Sequence, residues 1–160
     1  MRASICYLSF LLCALPALSA EYRIRSHKTG ACISNVGTHD RRVVTLDCHG
    51  PSTIVNVHAD INPVTSAYGP VSSHGWFIGR SENGEYLEWV RKDYNWEFPP
   101  VHGTPFHTVH VRGHDDYWVD SHGRVPVSCF LSIKKVHRTD NDDVQVKLGE
   151  EKQEWYFQRV

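Results

Sequence analysis

The residues best suited to chemistry cluster in the last third of the chain. Asp116 and Asp120 lie there among five histidines: His102, His107, His110, His114 and His122. Imidazole and carboxylate groups can bind zinc or copper. However, these histidines straddle a predicted strand and its turn with irregular parity, which favours solvated surface histidines. We therefore predict no metal site and no cofactor.

Hydrolytic chemistry has little support in the sequence. Asp116 and Asp120 could act as a pair of glycosidase carboxylates, but nothing fixes the distance between them. No nucleophile elbow, phosphate-binding loop or Cys/His motif occurs in a supporting context. We predict a protein that is not an enzyme.

Short strands must position these residues, because helical periodicity is nearly absent. The chain consists of short alternating apolar runs separated by Gly, Pro, Asn, Asp and Ser, which indicates an all-β protein. The segment 24–34 aligns without gaps on 78–88, and with one deletion on 111–120. Each copy reads as a strand, a polar turn and a strand, and the Thr-Gly and Asn-Gly pairs suit tight turns.

Further strand-like runs follow each copy. They cover 42–48 and 53–57, then 96–98, and finally 125–136, 144–148 and 153–157. Three unequal units of four short strands predict a β-trefoil, which is a barrel capped by hairpins. In this prediction, 62–75 is an excursion of the first unit, and the second unit is contracted. A seven-stranded sandwich is the alternative, but it does not explain the internal match.

The first twenty residues have the anatomy of a secretory signal peptide. Arg2 is followed by an apolar run over 5–15, then by Pro16 and the small residues Ala17, Ser19 and Ala20. This run is too short to span a bilayer, which argues against a membrane anchor. We predict a signal peptide over 1–20 and a secreted, extracellular single domain over 21–160.

Charge and cysteine usage agree with export. Loss of Arg2 would change the formal charge from −1 to −2, and no Lys/Arg run is present. This balance argues against nucleic acid or a membrane surface as the partner. Cys32, Cys48 and Cys129 remain after the signal peptide, which in an oxidising compartment favours one disulfide and one thiol.

Several of these residues form a pattern known from lectins. The run Thr29-Gly30-Ala31-Cys32-Ile33-Ser34, together with Cys48-His49-Gly50, resembles the first repeat of ricin B-type trefoils. Gln153-Glu154-Trp155 matches their closing Q-x-W signature, which places a buried tryptophan in each repeat. The middle of the chain is similar to the ricin B-like lectins of mushroom-forming fungi. The resemblance implies a β-trefoil that binds carbohydrate or the glycans of glycoproteins.

The resemblance also implies where a sugar would bind. Each site of such lectins uses an Asp after the second strand of a repeat, an aromatic platform, and an Asn or Gln pair. The first repeat departs from this pattern, with Ser34, Leu46 and His49 at those positions. The third repeat keeps more of it, so we expect one carbohydrate site there, formed by Asp120, Gln145, Gln153, Trp118 and Lys147.

The cysteine pairing and the core follow from the same comparison. Cys32 and Cys48 flank a short loop and are expected to form the disulfide, whereas Cys129 is expected to be a buried thiol. Trp155, Tyr156 and Phe157 are expected in the barrel core, because aromatic side chains bury large areas in small barrels.

A second binding class stays open. β-Trefoil protease inhibitors present an exposed loop, and the proline-rich segment 98–105 is stiff enough for that role. The segment 62–75 is another candidate. The leading expectation is a secreted carbohydrate-binding protein, and the alternative is a protease inhibitor or a secreted interaction protein.

Overall fold

The computed structural model describes residues 19–35, 42–120 and 146–160 of the chain. These residues form twelve strands and a short 3-10 turn at Pro51–Thr53. The strands are β1 (Ala20–Ser26), β2 (Cys32–Ser34), β3 (Val44–Leu46), β4 (Val55–Val57), β5 (Ala67–Ser73), β6 (Trp76–Arg80), β7 (Leu87–Val90), β8 (Asn95–Phe98), β9 (Phe106–His107), β10 (Tyr117–Asp120), β11 (Val146–Gly149) and β12 (Trp155–Arg159). The all-β prediction is confirmed. No helix in the described ranges is long and apolar enough to cross a membrane.

One pairing pattern recurs three times along the chain. The first strand of each unit pairs with the fourth, as β1 with β4, β5 with β8, and β9 with β12. The second strand pairs with the third, as β2 with β3, β6 with β7, and β10 with β11. Neighbouring units are joined by β4–β5, by the Glu97–His110 bridge, and by β12–β1, which closes the ring. The chain is a β-trefoil, as predicted.

The core is built from equivalent positions in the three units. Fully buried side chains recur on or just after the first strands (Ile24, Val71, Val109), on the second strands (Ile33, Ile78, Trp118) and on the fourth strands (Val55, Trp96, Trp155). The Trp96 indole N–H donates to the Ile78 carbonyl at 2.8 Å, and the Trp155 indole N–H donates to the Trp118 carbonyl at 3.1 Å. An equivalent indole–carbonyl hydrogen bond therefore occurs in the second and the third unit. In the first unit, Val55 takes the position of the tryptophan.

The three hairpins meet through their backbones, and a disulfide closes the first of them. The Val43 N–H donates to the Leu87 carbonyl at 2.9 Å, and the Val146 N–H donates to the Val43 carbonyl at 3.0 Å. Cys32 and Cys48 form the expected disulfide, with their Cα atoms 5.0 Å apart. Closing a loop of 16 residues stabilises the fold by about 3 kcal/mol on the chain-entropy estimate. Cys129 lies outside the described residues.

The structure corrects the internal alignment of the second unit. The turn between the first and second strands contains Gly30, Gly75 and Gly113 in the three units, with φ of 77°, 76° and 77°. Gly84, which the sequence match pairs with Gly30, lies instead in the next turn, between β6 and β7. The match of 24–34 with 78–88 is therefore wrong, because it pairs the first turn of the first unit with the second turn of the second unit. The match of 24–34 with 111–120 pairs equivalent turns.

The boundary between the first two units also differs from the prediction. Half of the expected excursion over 62–75 is strand β5, the first strand of the second unit. Position 69 of this strand requires glycine, because a Cβ there would approach the His58 carbonyl oxygen to 2.1 Å. Close approach of another chain segment is a typical reason for glycine inside a strand. Because glycine is otherwise uncommon in strands, Gly69 makes this segment look like a loop in the sequence.

Candidate functional site

The predicted sugar-binding residues Asp120 and Gln153 meet inside the protein. Asp120 ends β10, and its backbone N–H donates to the side-chain oxygen of Gln153. The Gln153 amide donates in turn to the Ser26 hydroxyl at 3.0 Å. The Asp120 carboxylate accepts hydrogen bonds from the hydroxyls of Thr29 and Thr45. This polar network links the first unit to the third.

The other predicted ligands occupy different surroundings. Trp118 packs in the core against Trp96 and Trp155, with ring centroids 5.1 Å and 6.1 Å away. Lys147, on β11, is half-buried and places its ammonium group 5.1 Å from the centre of the Tyr86 ring. Gln145 lies outside the described residues.

The burial of Asp120, Trp118 and Gln153 decides their role. Asp120 and Trp118 are 0% exposed and Gln153 is 4% exposed. A sugar cannot reach these groups while the core remains packed, so the expected contacts through Asp120, Trp118 and Gln153 are corrected to structural ones. Trp89, which lies between Glu88 and Arg91 in the sequence, is also buried.

An accessible groove instead lies on the outer face of β5 and β8. Tyr68 pairs with Glu97, Gly69 with Trp96, and Pro70 with Asn95. Because side chains alternate between the faces of a strand, the burial of Trp96 directs Tyr68 and Asn95 outward. Tyr68 is 49% exposed, and among the Phe, Trp and Tyr side chains of the described residues only Tyr156, at 37%, is also exposed.

Two connections complete the groove, which has a volume of about 470 Å³. One is the 92–95 segment between β7 and β8, which brings Lys92, Asp93 and Tyr94 beside Tyr68. The other is the start of the turn between β9 and β10, which contributes Val111 and Arg112. We call this site the tyrosine groove, and define it as Tyr68, Arg80, Val90, 92–95, Val111 and Arg112.

Most side chains of the tyrosine groove are held in place. The Arg112 guanidinium lies 5.6 Å from the centre of the Tyr68 ring, a cation–π contact. The Tyr94 ring packs against the buried Trp96 with centroids 4.8 Å apart. Arg80 forms an ion pair of 3.3 Å with Asp116 and donates to the Gly84 carbonyl at 3.2 Å. The groove combines a fixed aromatic wall with polar groups that face solvent.

A second cavity of about 360 Å³ lies between the first and third units. Its walls are mainly aromatic, since His27 and Phe106 cross at 87° and Phe106 and Tyr156 cross at 74°. The Arg25 Nε–H is already bonded to the Gly30 carbonyl, and Ser26 is buried in the polar network. This cavity therefore offers fewer free hydrogen-bonding groups than the tyrosine groove.

The proline-rich segment 98–105 is a closed turn. The Val101 N–H donates to the Phe106 carbonyl at 2.8 Å, and both the N–H and the hydroxyl of Thr104 donate to the Val101 carbonyl. The exposed residues of this hairpin are His102 and Gly103 at its tip and Pro105. The segment is therefore not the extended loop that docking into a protease cleft requires.

Comparisons with known proteins bear on the fold. No protein-family model matches the chain, and no curated protein matches it in sequence. A solved structure described as "BEL beta-trefoil apo crystal form 3" is similar, with a TM-score of 0.57 and 15% identity over 91% of this chain and 97% of that chain. The similarity shows a shared β-trefoil fold. At this identity it says nothing about the ligand.

Sequence reasoning missed the tyrosine groove. Tyr68 lies in a segment that the sequence predicts to be a loop. Arg112 lies in a turn that is distant in sequence from Tyr68, the residue it contacts in the groove. The available signal was the exposed polar run around Tyr94, with Lys92 and Asp93 before it and Asn95 after it. Only the pairing of β5 with β8 brings this run to Tyr68.

Proposed function

We propose that the protein is a secreted, non-enzymatic, ricin B-like lectin that binds carbohydrate in the tyrosine groove. The observation that carries this proposal is the half-exposed ring of Tyr68 beside solvent-facing polar side chains. Its fold supports the proposal only in a general way, because β-trefoils serve several binding functions. Glycans, alone or on glycoproteins, are the proposed partners.

The Tyr68 ring has the properties of a stacking platform. Its strand is paired on both sides, with β4 and β8, so little freedom is lost when a ligand docks on it. An exposed aromatic face can cover the apolar C–H face of a pyranose ring. Pre-organisation of this kind lowers the entropic cost of binding.

Polar groups beside Tyr68 can recognise sugar hydroxyls. Asp93 provides a carboxylate acceptor, and the Asn95 amide provides one acceptor and two donors. Both side chains are exposed and line the same groove. Ligand sites typically combine apolar lining with a few such polar groups.

The first test is Tyr68→Ala. Loss of a stacking ring worth about 1.5 kcal/mol is expected to weaken glycan binding about tenfold. Binding would be found on a glycan array and quantified by calorimetry with the best ligand. Tyr156→Ala is the matched control, because Tyr156 is 37% exposed and lies outside the groove. Equal affinities in the two variants, or no binding to any glycan by the wild-type protein, would sink the proposal.

Protease inhibition is the second candidate, supported by the loop before β5. Val64 is 81% exposed at its tip, and the Asn62 side-chain oxygen accepts hydrogen bonds from the backbone N–H groups of Val64 and Thr65. A braced loop with an exposed apolar residue can enter a protease pocket. Titration against serine and cysteine proteases tests this candidate. An inhibitor gives an equimolar end point that Val64→Asp abolishes, whereas a lectin leaves protease activity unchanged.

A further inference from the structure

Two cations of the tyrosine groove are unpaired among the described residues. Arg80 has its carboxylate partner in Asp116. In contrast, no carboxylate in the described ranges lies within ion-pair distance of Lys92 or Arg112. Both of these side chains are exposed and line the groove on opposite connections. The groove is therefore flanked by positive charge that the protein does not neutralise.

The position of Arg112 places part of this positive charge next to Tyr68. Its guanidinium lies over one face of the Tyr68 ring, with its carbon 5.6 Å from the ring centre, so a sugar would stack on the opposite face of this half-exposed ring. Contact with an aromatic ring constrains a guanidinium while leaving its N–H donors available. A planar guanidinium can donate two parallel hydrogen bonds to a carboxylate or a sulfate. A substituent of that sugar that extends past the edge of the Tyr68 ring would come within the range of this fork.

The lining of the groove carries an excess of two positive charges. Arg80, Lys92 and Arg112 contribute three positive charges and Asp93 contributes one negative charge. Two carboxylates lie beside the lining, where Asp116 pairs with Arg80 and Glu97 lies 3.7 Å from His110. The whole chain, in contrast, has a formal charge of −1. The groove is thus a local positive region on a near-neutral protein, which favours an anionic ligand through both attraction and steering.

We infer that the tyrosine groove binds an acidic saccharide, one with a carboxylate or a sulfate ester, and that Arg112 and Lys92 recognise its charge. This inference rests on the proposed carbohydrate-binding function and names the class of sugar. The Tyr68 ring holds the apolar face of the sugar, and the two cations hold its anionic group. Asp93 and Asn95 remain for its hydroxyls.

The test compares three probes on the full mature protein. Oligogalacturonate supplies carboxylates, a heparin-derived oligosaccharide supplies sulfates, and a cello-oligosaccharide of similar length supplies neither. We expect an acidic probe to bind more tightly than the neutral one, and added salt to weaken that preference because the contacts are exposed. Arg112→Gln and Lys92→Gln are each expected to weaken binding of the acidic probe about two- to fivefold, as for exposed charge pairs.

Lys28→Gln is the matched charge control. Lys28 lies in the first unit, outside the groove, and pairs with Glu151. It should leave all three affinities unchanged. Equal binding of acidic and neutral probes, with both lost in Tyr68→Ala, would retain the lectin proposal and overturn the charge inference. Equal losses in Lys28→Gln and Arg112→Gln would overturn the inference as well. Failure of all three probes and of a full glycan array would overturn both.

Discussion

Replacing Trp155 by alanine is expected to lower the free energy of unfolding by about 3–5 kcal/mol, the range for buried aromatic truncations. Trp155 is fully buried and packs against Trp118. Its strand β12 also pairs with both β1 and β9, at the point where the barrel closes. The variant would lose the apolar contacts, the indole hydrogen bond to the Trp118 carbonyl, and local support for this closure.

Chemical denaturation followed by far-ultraviolet circular dichroism measures the effect without relying on tryptophan fluorescence. Tyr156→Ala is the control, because Tyr156 follows Trp155 in β12 and faces solvent, and a change within about 1 kcal/mol is expected. Trp155→Phe keeps most of the buried area but not the indole donor, and should fall between the two. An effect of Trp155→Ala as small as that of Tyr156→Ala would contradict a structural role for the Q-x-W tryptophan.

Trp155 belongs to the part of the fold that the sequence could predict. A closing Q-x-W pattern, a short Cys32–Cys48 spacing and alternating apolar runs each report a local constraint, and each is confirmed in the structure. Large aromatic residues and paired cysteines in a small barrel have few places to go other than the core. Tyr156 is the exception among the three closing aromatics, since it faces solvent instead of the core.

Strand β5 could not be predicted for a physical reason. Its sequence Ala67-Tyr68-Gly69-Pro70-Val71-Ser72-Ser73 reads as a loop, because Gly and Pro are depleted in strands. Gly69 is required by the backbone of His58, and this contact is invisible until the units are assembled. Because β5 does not read as a strand, the best self-match pairs Gly30 with Gly84. The structural counterpart of Gly30 is Gly75, which falls in the predicted 62–75 excursion.

The burial of Asp120 was equally hidden from local reasoning. A lone Asp is almost never fully buried without partners, so an exposed ligand role was the natural expectation. Its partners Thr29, Thr45 and Gln153 lie 91, 75 and 33 residues away along the chain. Only the assembled trefoil brings these groups together, and their hydrogen bonds make the burial tolerable.

Replacing Asp120 by alanine is consequently expected to act on stability and not on ligand binding. Hydrogen bonds to charged groups are worth about 1.5–3 kcal/mol each, and the carboxylate accepts two from threonine hydroxyls. Loss of both should lower the free energy of unfolding by about 3–6 kcal/mol. Asp120→Asn should cost less, because an amide keeps the shape and one acceptor oxygen, and threonine hydroxyls can also accept.

Asp115→Ala is the matched control, since Asp115 is exposed in the connection that leads into the same strand. Its stability is expected to stay within about 0.5 kcal/mol of the wild-type value. Glycan affinity, measured below the unfolding transition, should be the same in Asp120→Asn, Asp115→Ala and the wild-type protein. A variant of Asp120 that keeps full stability and loses glycan binding would return the ligand site to the third unit. The opposite result, lower stability with unchanged affinity, would separate the role of Asp120 as a tie between two units from the role of Tyr68 as a platform.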